Sequence, residues 1–186
     1  MVERPVFVVS APSGGGKNSL INILLKEEPR IRHSISSTTR SKRANEKDGM
    51  NYHFLTKDEF EKRIRENKFL EYARVLDNYY GTEYAEIERI FNASCYPVLD
   101  IDIQGADALR KKRLPLVTFF IVPPSLEVLE KRLRARASES EEEVLKRLQL
   151  ARVEIEEKNK FDHVIVNDDL KTASDELIAV VRRHLV

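Results

Sequence analysis

The stretch Val6-Phe7-Val8-Val9-Ser10-Ala11-Pro12-Ser13-Gly14-Gly15-Gly16-Lys17-Asn18-Ser19-Leu20 decides how this chain is read. An apolar run of strand length breaks into three consecutive glycines and a lysine, and an amphipathic segment follows at once. Glycines let backbone N–H groups turn inward around a polyphosphate, and Lys17 adds a point charge. The N-terminus of the following helix contributes its partial positive charge. Strand, loop, lysine and helix stand in the order that a phosphate-binding P-loop requires, which favours that reading over a plain glycine turn. Two positions depart from the pattern G-x-x-x-x-G-K-S/T. Ala11 stands where the first glycine belongs, and Asn18 where a hydroxyl normally binds magnesium.

Working outward, four apolar runs read as buried strands: 6–9, 97–101, 116–122 and 163–166. Helical patterns separate most of them, at 19–26, 104–112, 125–136, 141–158 and 173–184, with Ser125 as an N-cap. This alternation predicts an α/β protein, a P-loop parallel sheet covered by helices. Residues from about 33 to 84 break the rhythm. They hold short polar and aromatic runs around one helix with a capping-box start, Thr56-Lys57-Asp58-Glu59. We read 1–186 as one domain, with a core of 1–32 and 85–186, an inserted small subdomain at about 33–84 and a helical lid at about 132–147.

The net charge of +1 conceals 34% charged residues of both signs, a balance that argues against a nucleic-acid partner. Cys95 is alone, so neither a disulfide within the chain nor a multi-cysteine metal site is expected. The four histidines are scattered without ligand spacing. The N-terminal run Val6–Val9 is too short for a secretory h-region and no apolar run approaches the length of a membrane span, so the expectation is a cytoplasmic protein without a membrane partner. The sequence leaves the oligomeric state open.

Three groups of residues could carry chemistry. Asp100 and Asp102 end the second apolar run, and strand alternation would put both carboxylates on one side, where they can serve a magnesium ion or a nucleotide. Arg132, Arg134, Arg136 and Arg147 lie on two helices joined by a short polar stretch, which fits either a lid closing over transferring phosphates or a solvated charged pair. Within the inserted interval, Ser36, Arg40, Arg43, Tyr52 and Tyr80 offer hydroxyls and guanidinium forks for one phosphate. Glu71 is a lone acid that could accept from the two donors of a guanine edge.

Ser10 to Lys17 resembles the P-loop of guanylate kinases, in which alanine at the first position is familiar. Ser36-Ser37-Thr38-Thr39-Arg40, Gly49-Met50-Asn51-Tyr52 and Asn78-Tyr79-Tyr80-Gly81-Thr82 resemble that family's GMP-binding segments. Leu99 to Gly105 and Val166-Asn167-Asp168-Asp169 look like further family blocks, so the resemblance runs through nearly the whole chain in order. It implies ATP and GMP as partners, magnesium as cofactor, and transfer of a phosphoryl group to give ADP and GDP.

By position, the resemblance implies that Ser13, Gly14, Gly15, Gly16, Lys17, Asn18 and Ser19 hold ATP, with Asn167 at the adenine. Lys17, Arg132, Arg136 and Arg147 would be catalytic, and Asn18 and Asp100 would serve the metal. Ser36, Arg40, Arg43, Tyr52 and Tyr80 would hold the GMP phosphate, while Glu71, Thr82 and Asp102 read the guanine. Asn18 for Ser/Thr bears on metal binding and rate. Ala135 and Ala137, where the lid commonly has glycine, bear on lid motion. The competing readings are a guanylate-kinase-like module that binds partner peptides without ATP chemistry, and a kinase of another small phosphorylated acceptor.

Overall fold

The structure is a computed structural model, and it describes residues 4–75, 77–135 and 141–185. In chain order, β1 (Val6–Ser10) leads through the glycine loop into α1 (Lys17–Glu27) and β2 (Ile31–His33). A polar interval follows, with β3 (Ser37–Thr38), β4 (His53–Phe54), α2 (Lys57–Arg65) and the antiparallel pair β5 (Phe69–Val75) and β6 (Asn78–Glu83). The chain then alternates α3 (Tyr84–Asn92), β7 (Tyr96–Asp100), α4 (Ile103–Arg110) and β8 (Leu116–Val122). It ends with α5 (Leu126–Arg134), α6 (Glu141–Glu156), β9 (His163–Val166) and α7 (Leu170–Arg183).

The main sheet is parallel throughout, in the order β2-β7-β1-β8-β9, so the glycine loop leaves its central strand. All five residues of β1 are buried, as a strand covered by helices on both faces requires. Phe7 and Val9 point to one side, where Leu20 and Leu24 of α1 meet Leu177 and Val181 of α7. Val6 and Val8 point to the other, packed with Ala106 and Leu109 of α4 and with Phe161. Each fully buried side chain of this size contributes roughly 1.5–3 kcal/mol. A third cluster joins α5 to α6 through Leu129, Leu133, Val144 and Ala151. The second sheet, β4-β3-β6-β5, is mixed and is built wholly from the polar interval.

The α/β sheet covered by helices is as the sequence predicts, and several details differ. The main sheet gains a fifth strand, β2, of whose residues only Ile31 is buried, so it leaves no apolar run to read. Helix α3 also escapes the periodicity, because its buried face alternates a carboxylate, Glu86, with Ile87 and Ile90. Helix α7 starts at Leu170 because the Asp169 carboxylate caps it, accepting from the Thr172 amide at 2.8 Å. The capping box is present, with Glu59 accepting from the Thr56 amide at 2.8 Å and Thr56 Oγ1 accepting from the Glu59 amide at 3.2 Å. Asp100 and Asp102 do not share a strand, since β7 ends at Asp100 and Asp102 is already the N-cap of α4.

Candidate active site

The loop between β1 and α1 depends on two glycines in the left-handed region, Gly14 at φ 88° and Gly16 at φ 90°. Gly16 disfavours a side chain on a second ground, because a Cβ there would lie 2.1 Å from Asn167 Nδ2 and displace it. It caps α1 without a side chain, and the first turn holds no acid, so the helix start offers its amides and dipole to an anion. Ser10 Oγ donates to the Ile101 carbonyl at 2.7 Å and ties the loop's first residue to the end of β7. Lys17 forms an ion pair with Asp100 and also reaches the Ile101 carbonyl at 3.4 Å.

Asn167, expected at the adenine, lies under the loop. It is buried, and its Nδ2 donates to the Gly15 carbonyl at 2.8 Å while its own carbonyl accepts from Arg132 at 2.9 Å. The other terminal nitrogen of Arg132 is buried without a partner, a donor still to be used. Arg147 of α6 donates through Nε to Ser13 Oγ at 3.2 Å. Arg136 and Ala137 lie outside the described residues. Arg134 pairs on the surface with Glu130 and Glu141, away from the loop.

Across the cleft, Arg40, Arg43, Tyr52 and Tyr80 line one cavity of about 530 Å³ together with Asn18 and Asp100. Ser36, Glu71 and Asp102 line a second, of about 240 Å³, with Tyr52, Tyr80 and Asp100. A third, of about 350 Å³, follows the glycine loop and again includes Tyr52 and Asp100. The three spaces meet at these two residues, so the loop and the polar interval face one continuous cleft beyond the carboxyl ends of the strands. Tyr52 is kept above its usual pKa by burial first and by Asp100 second, so its phenol stays a neutral donor.

Glu46 joins the site without any signal in the sequence. Its carboxylate takes the Arg40 fork at 2.6 and 3.0 Å and the Arg43 amide at 2.8 Å, which holds it down at about 2. Arg40 in turn lies 5.5 Å over the Tyr52 ring. Glu71 is the opposite case. It is buried on β5 beside Thr82 of β6, and burial pushes it up to about 7, with Asp102 adding to the rise and Thr82 opposing it. Its Oε1 and the Thr82 hydroxyl are both buried without a hydrogen-bond partner. Thr82 itself lines none of the three spaces and sits behind Glu71. Asp102 Oδ1 accepts from the Gly105 amide at 2.9 Å, which spends part of that carboxylate on the helix cap.

A parallel sheet whose central strand opens through a glycine loop onto an uncapped helix, facing a polar acceptor cleft, defines a P-loop kinase of small phosphorylated acceptors. The guanylate kinase family model matches residues 3–184. Guanylate kinase of Rickettsia bellii is 44% identical over 176 residues, which cover 95% of this chain and 92% of that protein. Guanylate kinase of Rickettsia felis is 48% identical over 164 residues, covering 88% and 85%. The crystal structure of guanylate kinase from Anaplasma phagocytophilum superposes with a TM-score of 0.79 at 32% identity, covering 100% of this chain and 88% of that one. The chain belongs to the guanylate kinase family, and it is an ATP-dependent nucleoside monophosphate kinase. Kinases of this kind use ATP with a divalent metal ion. Among the described residues, no helix is long and apolar enough to cross a membrane.

Proposed function

We propose that this chain transfers the γ-phosphoryl group of ATP to GMP, giving ADP and GDP, in the cytoplasm and with magnesium. The observation that carries the choice of acceptor is Glu71. A buried carboxyl with an unpartnered oxygen waits for donors, and guanine presents two, N1–H and the exocyclic amine, on one edge. Adenine lacks that pair. Asp102 completes the base side, with Thr82 supporting Glu71 from behind; Arg40, Arg43, Tyr52 and Tyr80 take the phosphate in the adjoining space, and Ser36 reaches toward it from the base side. Residues 33–84 then act as the acceptor-binding subdomain and about 132–147 as the lid, of which 136–140 lie outside the described residues.

In the transfer, an oxygen of the GMP phosphate attacks the γ-phosphorus as the bond to the β,γ-bridging oxygen breaks, and ADP leaves. The chain's part is positioning and charge compensation. The loop amides from Ser13 to Ser19 cradle the donor phosphates, and Lys17 exchanges Asp100 for phosphate oxygens. Arg132, whose free nitrogen is already buried, and Arg147 act beside them, with Arg136 assigned by position alone. The residues present fit a magnesium ion carried mainly by the nucleotide. Asp100 and the Asn18 carboxamide supply hard oxygen donors at the cleft, and among the described residues no cluster of three acidic, His or Cys groups forms a dedicated cage. Bound with ATP, magnesium offsets the charge that develops on the phosphate oxygens.

A coupled ADP-release assay with ATP, magnesium and each nucleoside monophosphate tests the proposal. GMP should exceed AMP by about 10⁴-fold in kcat/KM, the discrimination available to a polar site that leaves the wrong ligand's groups unpaired. Comparable turnover of both would overturn the acceptor assignment. GMP binding without turnover would point to a binding module.

A further inference from the structure

Glu46 holds both arginines of the acceptor cleft, Arg40 by the guanidinium and Arg43 by the main chain. Its Oε2 accepts from Arg40 Nη1 at 3.0 Å and its Oε1 from Arg40 Nη2 at 2.6 Å, a bidentate fork. Oε2 also accepts from the Arg43 amide at 2.8 Å, and the Glu46 amide donates to the Arg43 carbonyl at 3.1 Å, so the turn 43–46 is closed from both ends. The Arg40 and Glu46 side chains are 18% and 12% exposed. The Arg40 guanidinium lies 5.5 Å over the Tyr52 ring and 5.8 Å over that of Phe54, so rings fix its face and the carboxylate fixes one edge. Of its five donors, Glu46 takes two and the Ser41 carbonyl takes a third, from Nη1 at 2.8 Å. That count leaves Nε–H and the second Nη2–H, a parallel pair of the kind that grips two phosphate oxygens.

We propose that Glu46 is a positioning residue for GMP. It fixes the Arg40 fork and the turn that carries Arg43 before the phosphate arrives, so that binding need not order them. Glu46 acts through those two arginines, so its role rests on the proposed GMP site. By charge alone a carboxylate here works against binding, since it offsets one of two positive charges that attract a phosphate. Were charge decisive, or were Glu46 a stand-in that the phosphate displaces, removing it would tighten GMP. Positioning predicts the reverse, and the sign of the change in KM separates the two.

The test compares Glu46→Ala and Glu46→Gln with the wild type in KM for GMP, KM for ATP and inhibition by guanosine, which carries the base without the phosphate. Glu46→Ala should raise KM for GMP by about tenfold, the scale of one lost charge-assisted hydrogen bond. Glu46→Gln keeps one acceptor oxygen and should raise it by about threefold, and it carries the test alone if alanine fails to fold. In both variants KM for ATP and the inhibition constant of guanosine should change less than twofold. A residue that merely held the subdomain together would weaken guanosine in step with GMP. An unchanged or lower KM for GMP overturns the positioning role, and so does guanosine weakened as much as GMP. A wild type that binds guanosine as well as GMP would instead remove the phosphate site itself, which keeps the two failures apart.

Discussion

Replacing Glu71 by glutamine tests the buried carboxyl through stability, with no assay of activity needed. Glu71 titrates near about 7 in the folded chain, against an ordinary 4.5, chiefly because it is 5% exposed on β5. Since the folded value lies above the unfolded one, the folded form binds more protons between those two values and loses stability as pH rises through the window. Each pH unit in the window costs 1.36 kcal/mol, so the full span amounts to about 3 kcal/mol by pH 8. Glutamine has nearly the same shape and cannot ionise. Glu71→Gln should therefore match the wild type near pH 4.5 and exceed it progressively above that. At 2–4 °C per kcal/mol for a chain of this size, the gain in melting temperature at pH 8 is roughly 6–12 °C. Scanning calorimetry of both forms from pH 4.5 to 8 measures it directly. A difference that stays flat with pH would refute the argument, because it would mean that Glu71 does not ionise within this range.

Three further perturbations bear on the donor side. Lys17→Ala should fold normally and lose phosphoryl transfer almost completely, read by ADP release beside an unchanged circular-dichroism spectrum, because the lysine pairs with Asp100 at the cleft and not with the core. Gly16→Ala combines a left-handed backbone, costing roughly 1–2 kcal/mol, with displacement of Asn167 from the Gly15 carbonyl, costing roughly 1–3 kcal/mol. Its melting temperature should fall by about 5–15 °C, and a fall under 2 °C would contradict the packing described. Asn18→Ser should lower the magnesium concentration for half-maximal rate, since a compact hydroxyl restores the usual ligand. An unchanged or worse titration would make the asparagine an adapted ligand.

The donor loop was legible because its signal is contiguous: strand, glycines, lysine and helix start lie within fifteen residues. The capping box at Thr56 and the cap at Ser125 also depend on neighbours in the chain, whereas the Asp169 cap that starts α7 at Leu170 went unread. Strand β2 was not legible, since three residues with one buried side chain, Ile31, carry no period. Residue type alone suggested a phosphate group in Ser36, Arg40, Arg43, Tyr52 and Tyr80 and a base acceptor in Glu71, whereas Thr82 and Asp102 joined the base side only by family resemblance, because no local pattern encodes the pairings of the second sheet. Glu46 looks like any other acid in a chain with 31 of them, and only its fork with Arg40 separates it from the solvated charges.

Glu71 belongs to the second sheet, yet its Oε2 stands only 2.9 Å from where a Cβ on Gly105 would be, at the start of α4 beneath the first sheet. The carboxyl proposed to read the base is thus also part of the seam between the two sheets. Redirecting this enzyme toward another base is therefore not a local edit. Any side chain at position 71 that suits a different purine edge must also fit against a glycine of the core. Acceptor choice and the joint between the halves must evolve together, and variants selected for a new acceptor should carry compensating changes along α4.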